Sequence, residues 1–180
     1  MKPRGLLMIE HRLIEKMLAI TSKELALIKK TETVNPVYID TFVDFIRTYA
    51  DRTHHGKEED ILFKALEHKD MREDDQKMMK DLVTDHILSR GVVGELVAAH
   101  KDYVAGDATS INVIIDKLTF LLTLYPAHIT KEDTIFFLNT ERYFSKEELD
   151  SMLEAFREFD SKMIHEKYRS LYESLKDGCT

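Results

Sequence analysis

The sequence of 180 residues holds one cysteine, three prolines, six glycines and no tryptophan, and each scarcity excludes something. Cys179 has no partner for an internal disulfide and none for a cysteine metal site. So few turn formers leave little room for a sheet-rich fold, whereas recurrent Leu, Ile, Met, Glu and Lys favour helix. A basic excess is missing too: 26 Lys and Arg stand against 33 Asp and Glu, a net charge of −7. Without a basic stripe to displace counterions from phosphates, no nucleic-acid partner is expected. Binding to an anionic membrane surface is disfavoured for the same reason. Uninterrupted apolar runs such as Val113 to Ile115 and Phe120 to Leu122 fall far short of the roughly 20 residues of a bilayer span. The opening Met1 to Leu7 meets charged Glu10, His11 and Arg12 too soon for a signal peptide, so the expected location is cytoplasmic, with no membrane partner.

What is present, 43% hydrophobic and 33% charged residues, fits one soluble globular domain. Punctuation divides it into five helical segments. The first runs from about Leu6 to Lys30, with Leu7, His11, Ile14, Leu18, Leu25 and Ile28 at helical spacing. Asn35 and Pro36 read as an N-cap and first helical residue, opening a second helix that reaches about His68. A third spans about Glu73 to Val104 and a fourth about Ser110 to Asn139, separated by Gly106, Asp107 and Thr109. Ser145 with Glu148 has the spacing of a capping box. It opens a fifth helix striped by Leu149, Met152, Leu153, Phe156, Phe159, Met163, Tyr168, Leu171, Tyr172 and Leu175. Short connections force antiparallel neighbours, so the expected fold is all-α. An up-down-up-down four-helix bundle over residues 1–144 carries an amphipathic fifth helix, 145–180, packed on it as one structural domain.

The eight histidines carry the chemistry. Four are followed at helical i+4 spacing by glutamate: His11 by Glu15, His54 by Glu58, His55 by Glu59 and His128 by Glu132. His54 and Glu58 continue the stripe of Val43, Ile46, Ala50 and Ile61, which places His55 and Glu59 at the edge of the bundle. His86 and His128 also fall on apolar stripes, as does His11, so each of the first four helices presents one inward histidine. Residues level with one another on antiparallel neighbours have their sequence midpoint in the connecting turn. The midpoint for His11 and His54 is near residue 32, for His54/Glu58 and His86 near 71, and for His86 and His128 at 107, all within turns assigned on other grounds. The four histidines and two carboxylates therefore share one level. Buried carboxylates are costly unless paired or bound to metal, and imidazole with carboxylate suits iron, manganese or zinc. A dinuclear site is the favoured reading. His68, near a helix end, His100, about 21 Å along the helix from His86, and His165, in a polar setting, are read as structural or solvated.

His11, then His54-His55-Gly56-Lys57-Glu58-Glu59, Asp85-His86 and His128-Ile129-Thr130-Lys131-Glu132-Asp133 with Phe136-Phe137 together resemble the hemerythrin-like, HHE cation-binding family over about residues 6 to 140. The resemblance implies a non-heme site of two Fe ions, oxo- or hydroxo-bridged, with Zn or Mn as substitutes. Its metal ligands would be His11, His54, Glu58, His86, His128 and Glu132, the two glutamates bridging. Oxygen-carrying members offer two histidines four apart on the third helix, but here the second position is Arg90. One iron would then need water, another side chain or an open position. Those carriers also place the last carboxylate five residues after its histidine, at Asp133 here, so Asp133 stands beside Glu132 as an alternative; His55, Glu59 and Glu15 are further candidates. The cysteine-bearing N-terminal segment of relatives implicated in repair of iron–sulfur centres is absent.

Three functions are expected in competition. The first is a di-iron protein that binds O2, NO or peroxide for sensing, binding or storage. The second is a di-iron enzyme of oxidative or nitrosative defence, in which Arg90 near the less-ligated metal stabilises an anion. The third is a metal-free helical interaction module, which needs its inward polar groups to satisfy one another. A sensor needs a protein partner and an oxidase an external electron donor. The ferritin-type Glu-x-x-His spacing does not occur, which argues against ferroxidase chemistry.

Overall fold

The computed structural model describes residues 2–177, with side chains through residue 163. His165, Tyr168, Leu171, Tyr172 and Leu175, as side chains, and Cys179 lie outside the described residues. Helix α1 spans Pro3–Thr31, with proline at its first position and Lys29 and Lys30 in its last turn, where cations favour the helix dipole. It closes on Glu32 in the left-handed region (φ 52°), whose N–H bonds to the Ile28 carbonyl at 2.8 Å. The Asn35 side chain then accepts from the Tyr38 N–H at 3.3 Å and caps α2, Pro36–Phe45.

The second helical stretch does not stay α-helical. It widens into two π-helical segments, π1 at Ile46–His55 and π2 at Glu58–Phe63, before a last turn α3 at Lys64–Leu66. Helix α4 covers Glu73–Val104 and α5 covers Ser110–Lys131, continued by π3 at Glu132–Phe136 and α6 at Phe137–Thr140. The Ser145 and Glu148 box forms as the spacing predicts, Glu148 N–H to Ser145 Oγ at 3.2 Å and Ser145 N–H to Glu148 Oε2 at 2.8 Å. It opens α7, Lys146–Asp177. Among the described residues there is no strand; the protein is an all-helical bundle in which α5 packs on α1 and α4, α2 on α4, and α7 on α1, π1 and π2.

Two apolar clusters form the core, with a polar layer between them. On one side lie Ile14, Leu18, Ile28, Ile39, Phe42, Ile46, Leu96, Leu118 and Leu121; on the other lie Leu7, Leu62, Phe63, Leu82, Phe136, Phe137 and Phe156. In sequence the layer falls between Leu7 and Ile14, Ala50 and Leu62, Leu82 and Val92, and Leu121 and Phe136. Burying each large apolar side chain contributes about 1.5–3 kcal/mol. The two clusters thus supply the stability against which the polar layer is held. The stretch Ser110–Tyr143 is long and apolar enough overall to meet the length and composition of a membrane span. Its apolar residues serve both the core and an outer face where Val113, Phe120, Ile135 and Leu138 are exposed.

Candidate metal centre

In an α-helix, consecutive residues point about 100° apart, so His54 and His55 would lie at opposite edges of a core-facing stripe. A π-helix bonds i to i+5 and widens its turn, which reduces the rotation between neighbours. Within π1 this brings both histidines inward: His54 is 1% exposed and His55 2%. The placement of His55 at the bundle edge is therefore corrected; it is a core residue. Glu58 opens π2 and Glu132 opens π3, so two of the four donor-bearing stretches of the layer turn π-helical where they supply donors, whereas His11, His86 and His128 stand on ordinary α-helix.

The buried donors fall into two groups, each with its atoms within 4.8 Å of one another: His11, His54, Glu58 and Glu132, and His55, Glu58, His86 and His128. The six residues expected from sequence are all here, with His55 added. Both carboxylates span the groups. Glu132 Oε2 lies 3.2 Å from His11 Nε2 and 3.2 Å from His128 Nε2. Glu58 lies 3.4 Å from His54 Nε2 and 3.5 Å from His86 Nε2. The histidines divide unequally, two on the His11 side and three on the His86 side.

Every one of the five histidines turns its other nitrogen outward to a carboxylate. Nδ1–H donates to Asp133 from His11 (2.7 Å), to Glu10 from His54 (2.8 Å), to Asp51 from His55 (3.4 Å), to Glu59 from His86 (2.7 Å) and to Asp85 from His128 (3.2 Å). Such bonds fix the tautomer, aim Nε2 and raise its basicity. Each carboxylate is held in turn by a cation: Arg12 on Asp133, Lys57 on Glu10, Lys131 on Asp85, and Arg90 on both Asp51 (2.7 Å) and Glu59 (2.6 Å).

The interior is left unsatisfied. Among the described residues, His11 Nε2, His54 Nε2, both oxygens of Glu58 and both of Glu132 are buried without a hydrogen bond. An unsatisfied buried polar group costs about 1–3 kcal/mol, and more when charged. Burial pushes the Glu58 carboxyl well up, with Glu132 adding to it. Burial pushes Glu132 up as well, but the His128 and His11 imidazoles outweigh it and hold that carboxyl below its ordinary range. Burial lowers His54 to about 4 and depresses His55 and His86. For His128 burial is outweighed by Glu132 and Asp85, which raise it to about 9. Imidazole nitrogens and carboxylate oxygens converging with no partner fit first-row divalent metals, iron, manganese or zinc among them. They do not fit a module whose inward polar groups satisfy one another.

Several expectations change. Arg90 does not attend the side with fewer histidines; it clamps the two carboxylates behind His55 and His86. The gap expected four residues after His86 is filled by His55 from another helix. Asp133 and Glu59 stand behind histidines rather than among the inward donors, and Glu15 pairs at the surface with Arg12 at 3.2 Å. His100 is buried beside Asp40 at 3.1 Å, and His68 is exposed. Tyr125 stacks on His55 at 6.2 Å and bonds Ser89 at 2.9 Å. Sequence reasoning missed Glu10, Asp51 and Lys57 altogether. Asp51, four residues before His55, was the one legible signal, since that spacing joins two residues on one helix face.

A family model described as the hemerythrin HHE cation-binding domain matches residues 3–138. Comparisons with curated proteins and with solved structures find no match.

Proposed function

The chain belongs to the hemerythrin HHE cation-binding domain family, and from that premise we propose that it is a non-heme di-iron protein that binds O2, or a related small ligand such as NO or peroxide. The observation that carries this reading is the pair of carboxylates spanning two groups of unequal histidine number. In this reading His11 and His54 would hold one iron and His55, His86 and His128 the other, with the Glu58 and Glu132 carboxylates shared between the two groups. A metal pair bound there would supply redox chemistry and the capacity to bind a small ligand, and the side with two histidines is the one with fewer protein donors.

The chain's own residues do the rest. Outward carboxylates orient all five imidazoles. The ring of Phe137 stacks on His11 at 5.9 Å, and Leu7, fully buried, lies one helical turn from it. These apolar walls exclude bulk water from the two-histidine side and favour a small uncharged ligand over an ion. The fold belonging to this reading is the up-down-up-down bundle, with α7 as an addition to one structural domain.

Metal content of protein purified without chelators, followed by the visible spectrum of the reduced anaerobic sample before and after O2, tests the proposal. The expected result is about two irons per chain and a band that forms with O2 and reverses on its removal. Two irons that oxidise irreversibly would transfer the assignment to peroxide or O2-reducing enzyme chemistry. No stoichiometric metal would refute it.

A further inference from the structure

Of the four cations behind the centre, three reach solvent and one does not: Arg12 is 51% exposed, Arg90 38% and Lys131 37%, whereas Lys57 is 0% exposed. An ammonium is almost never fully buried unless paired. Lys57 has two anions: it donates to Glu10, the carboxylate that holds His54, and to Asp160 of α7 at 2.6 Å. Next to it, Gly56 has no side chain because α7 lies on it. A β-carbon there would sit 2.7 Å from the Phe159 ring. The segment His54 to Glu58, which carries three inward donors, is thus covered by two consecutive residues of α7. That helix lies beyond the residues 3–138 matched by the family model.

We propose that Lys57 and Asp160 are positioning residues of the metal centre, through which metal binding and the docking of α7 form one coupled equilibrium. The inference rests on the metal reading above. Docked α7 keeps water from Lys57 and holds its ammonium against Glu10. Glu10 in turn keeps His54 Nδ1–H engaged and Nε2 aimed inward. Undocking opens Lys57 to solvent, frees Glu10 and leaves His54 without its orienting acceptor. Metal held by His54 opposes that release. By linkage, metal must stabilise docked α7 by the same factor by which undocking weakens metal binding.

The test uses the full-length chain, stripped with chelator and titrated with zinc, which needs no redox control. Zinc affinity is read by competition with a chromophoric chelator, and amide hydrogen exchange is read over residues 151–163. In the wild type, zinc is expected to slow exchange in that segment about tenfold or more, the lower end of what losing one outer partner of a metal-bound histidine costs. Asp160→Asn should still bind two zinc ions, about tenfold more weakly, with exchange over 151–163 now indifferent to zinc. Asp160→Glu should restore both readouts. Two zinc ions bound without any change in wild-type exchange over 151–163 would overturn the coupling and leave the metal reading standing; that arm needs no variant to fold. Wild-type affinity in Asp160→Asn would overturn it equally. A wild-type chain that takes up no zinc removes the metal reading and this inference with it.

Discussion

His55 separates the present site from the one expected by helical periodicity. It belongs to the donor group that also holds His86 and His128. His55→Ala is therefore expected to lower bound metal from about two to about one per chain, while His68→Ala, at an exposed position, leaves it unchanged; elemental analysis decides. Asp75 is a second informative residue, away from the centre. Burial pushes its carboxyl up, but hydrogen bonds from Tyr143, Arg72, Arg142 and Asn139 outweigh it and hold it at about 2, below the ordinary carboxylate range. A carboxyl depressed on folding stabilises the fold above its unfolded value, and that contribution is lost as pH falls through the folded one. Between about pH 4 and pH 2 the wild type should lose urea resistance more steeply than Asp75→Asn. Parallel curves would show that Asp75 adds nothing by its charge.

At the scale of the element, the π segments narrow the angle between adjacent residues 54 and 55, so that both face inward. Helix α7 packs on both segments and closes on Gly56, which lies between them. Gly56→Ala would drive a methyl group into the Phe159 ring. Overpacking of this kind costs about 1–3 kcal/mol. The expected outcome is a lower urea midpoint, largely restored when Phe159→Leu is added, because the two residues meet and their effects are not additive. Simple additivity of the two losses would mean that they do not touch. Helix boundaries were legible for ordinary reasons: the Asn35 and Ser145 caps and the Gly106 break are local signals. The π widening was not, because it answers to the side chains that must meet across the bundle rather than to any propensity of Ile46 to His55.

For the whole molecule, the polar layer makes folding and metal binding a single problem. A ligand that binds only the folded state adds about 2.7 kcal/mol at a free concentration one hundred times its Kd. Chelator-stripped protein should therefore melt at a lower temperature than metal-loaded protein, and the gap should widen as free metal rises. Coincident melting curves would mean that the orphaned carboxylates of Glu58 and Glu132 find other relief. Away from the layer, Leu82→Ala removes a fully buried side chain and should cost about 2–5 kcal/mol, with or without metal. A loss confined to the metal-free form would tie that cluster to the centre.

Sequence by itself determined the helical segments, the inward stripes and the common level of His11, His54, His86 and His128 with Glu58 and Glu132, because periodicity and turn position are properties of the chain alone. Only the tertiary structure decided which neighbours of those residues join them. His55 enters through a widened helix, Asp133 turns out to serve His11, and Arg90 reaches two carboxylates on another segment. Lys57 joins Glu10, 47 residues before it, to Asp160, 103 residues after it. Such pairings depend on where helices cross, and one charged residue on a helix looks like another until the crossing is fixed.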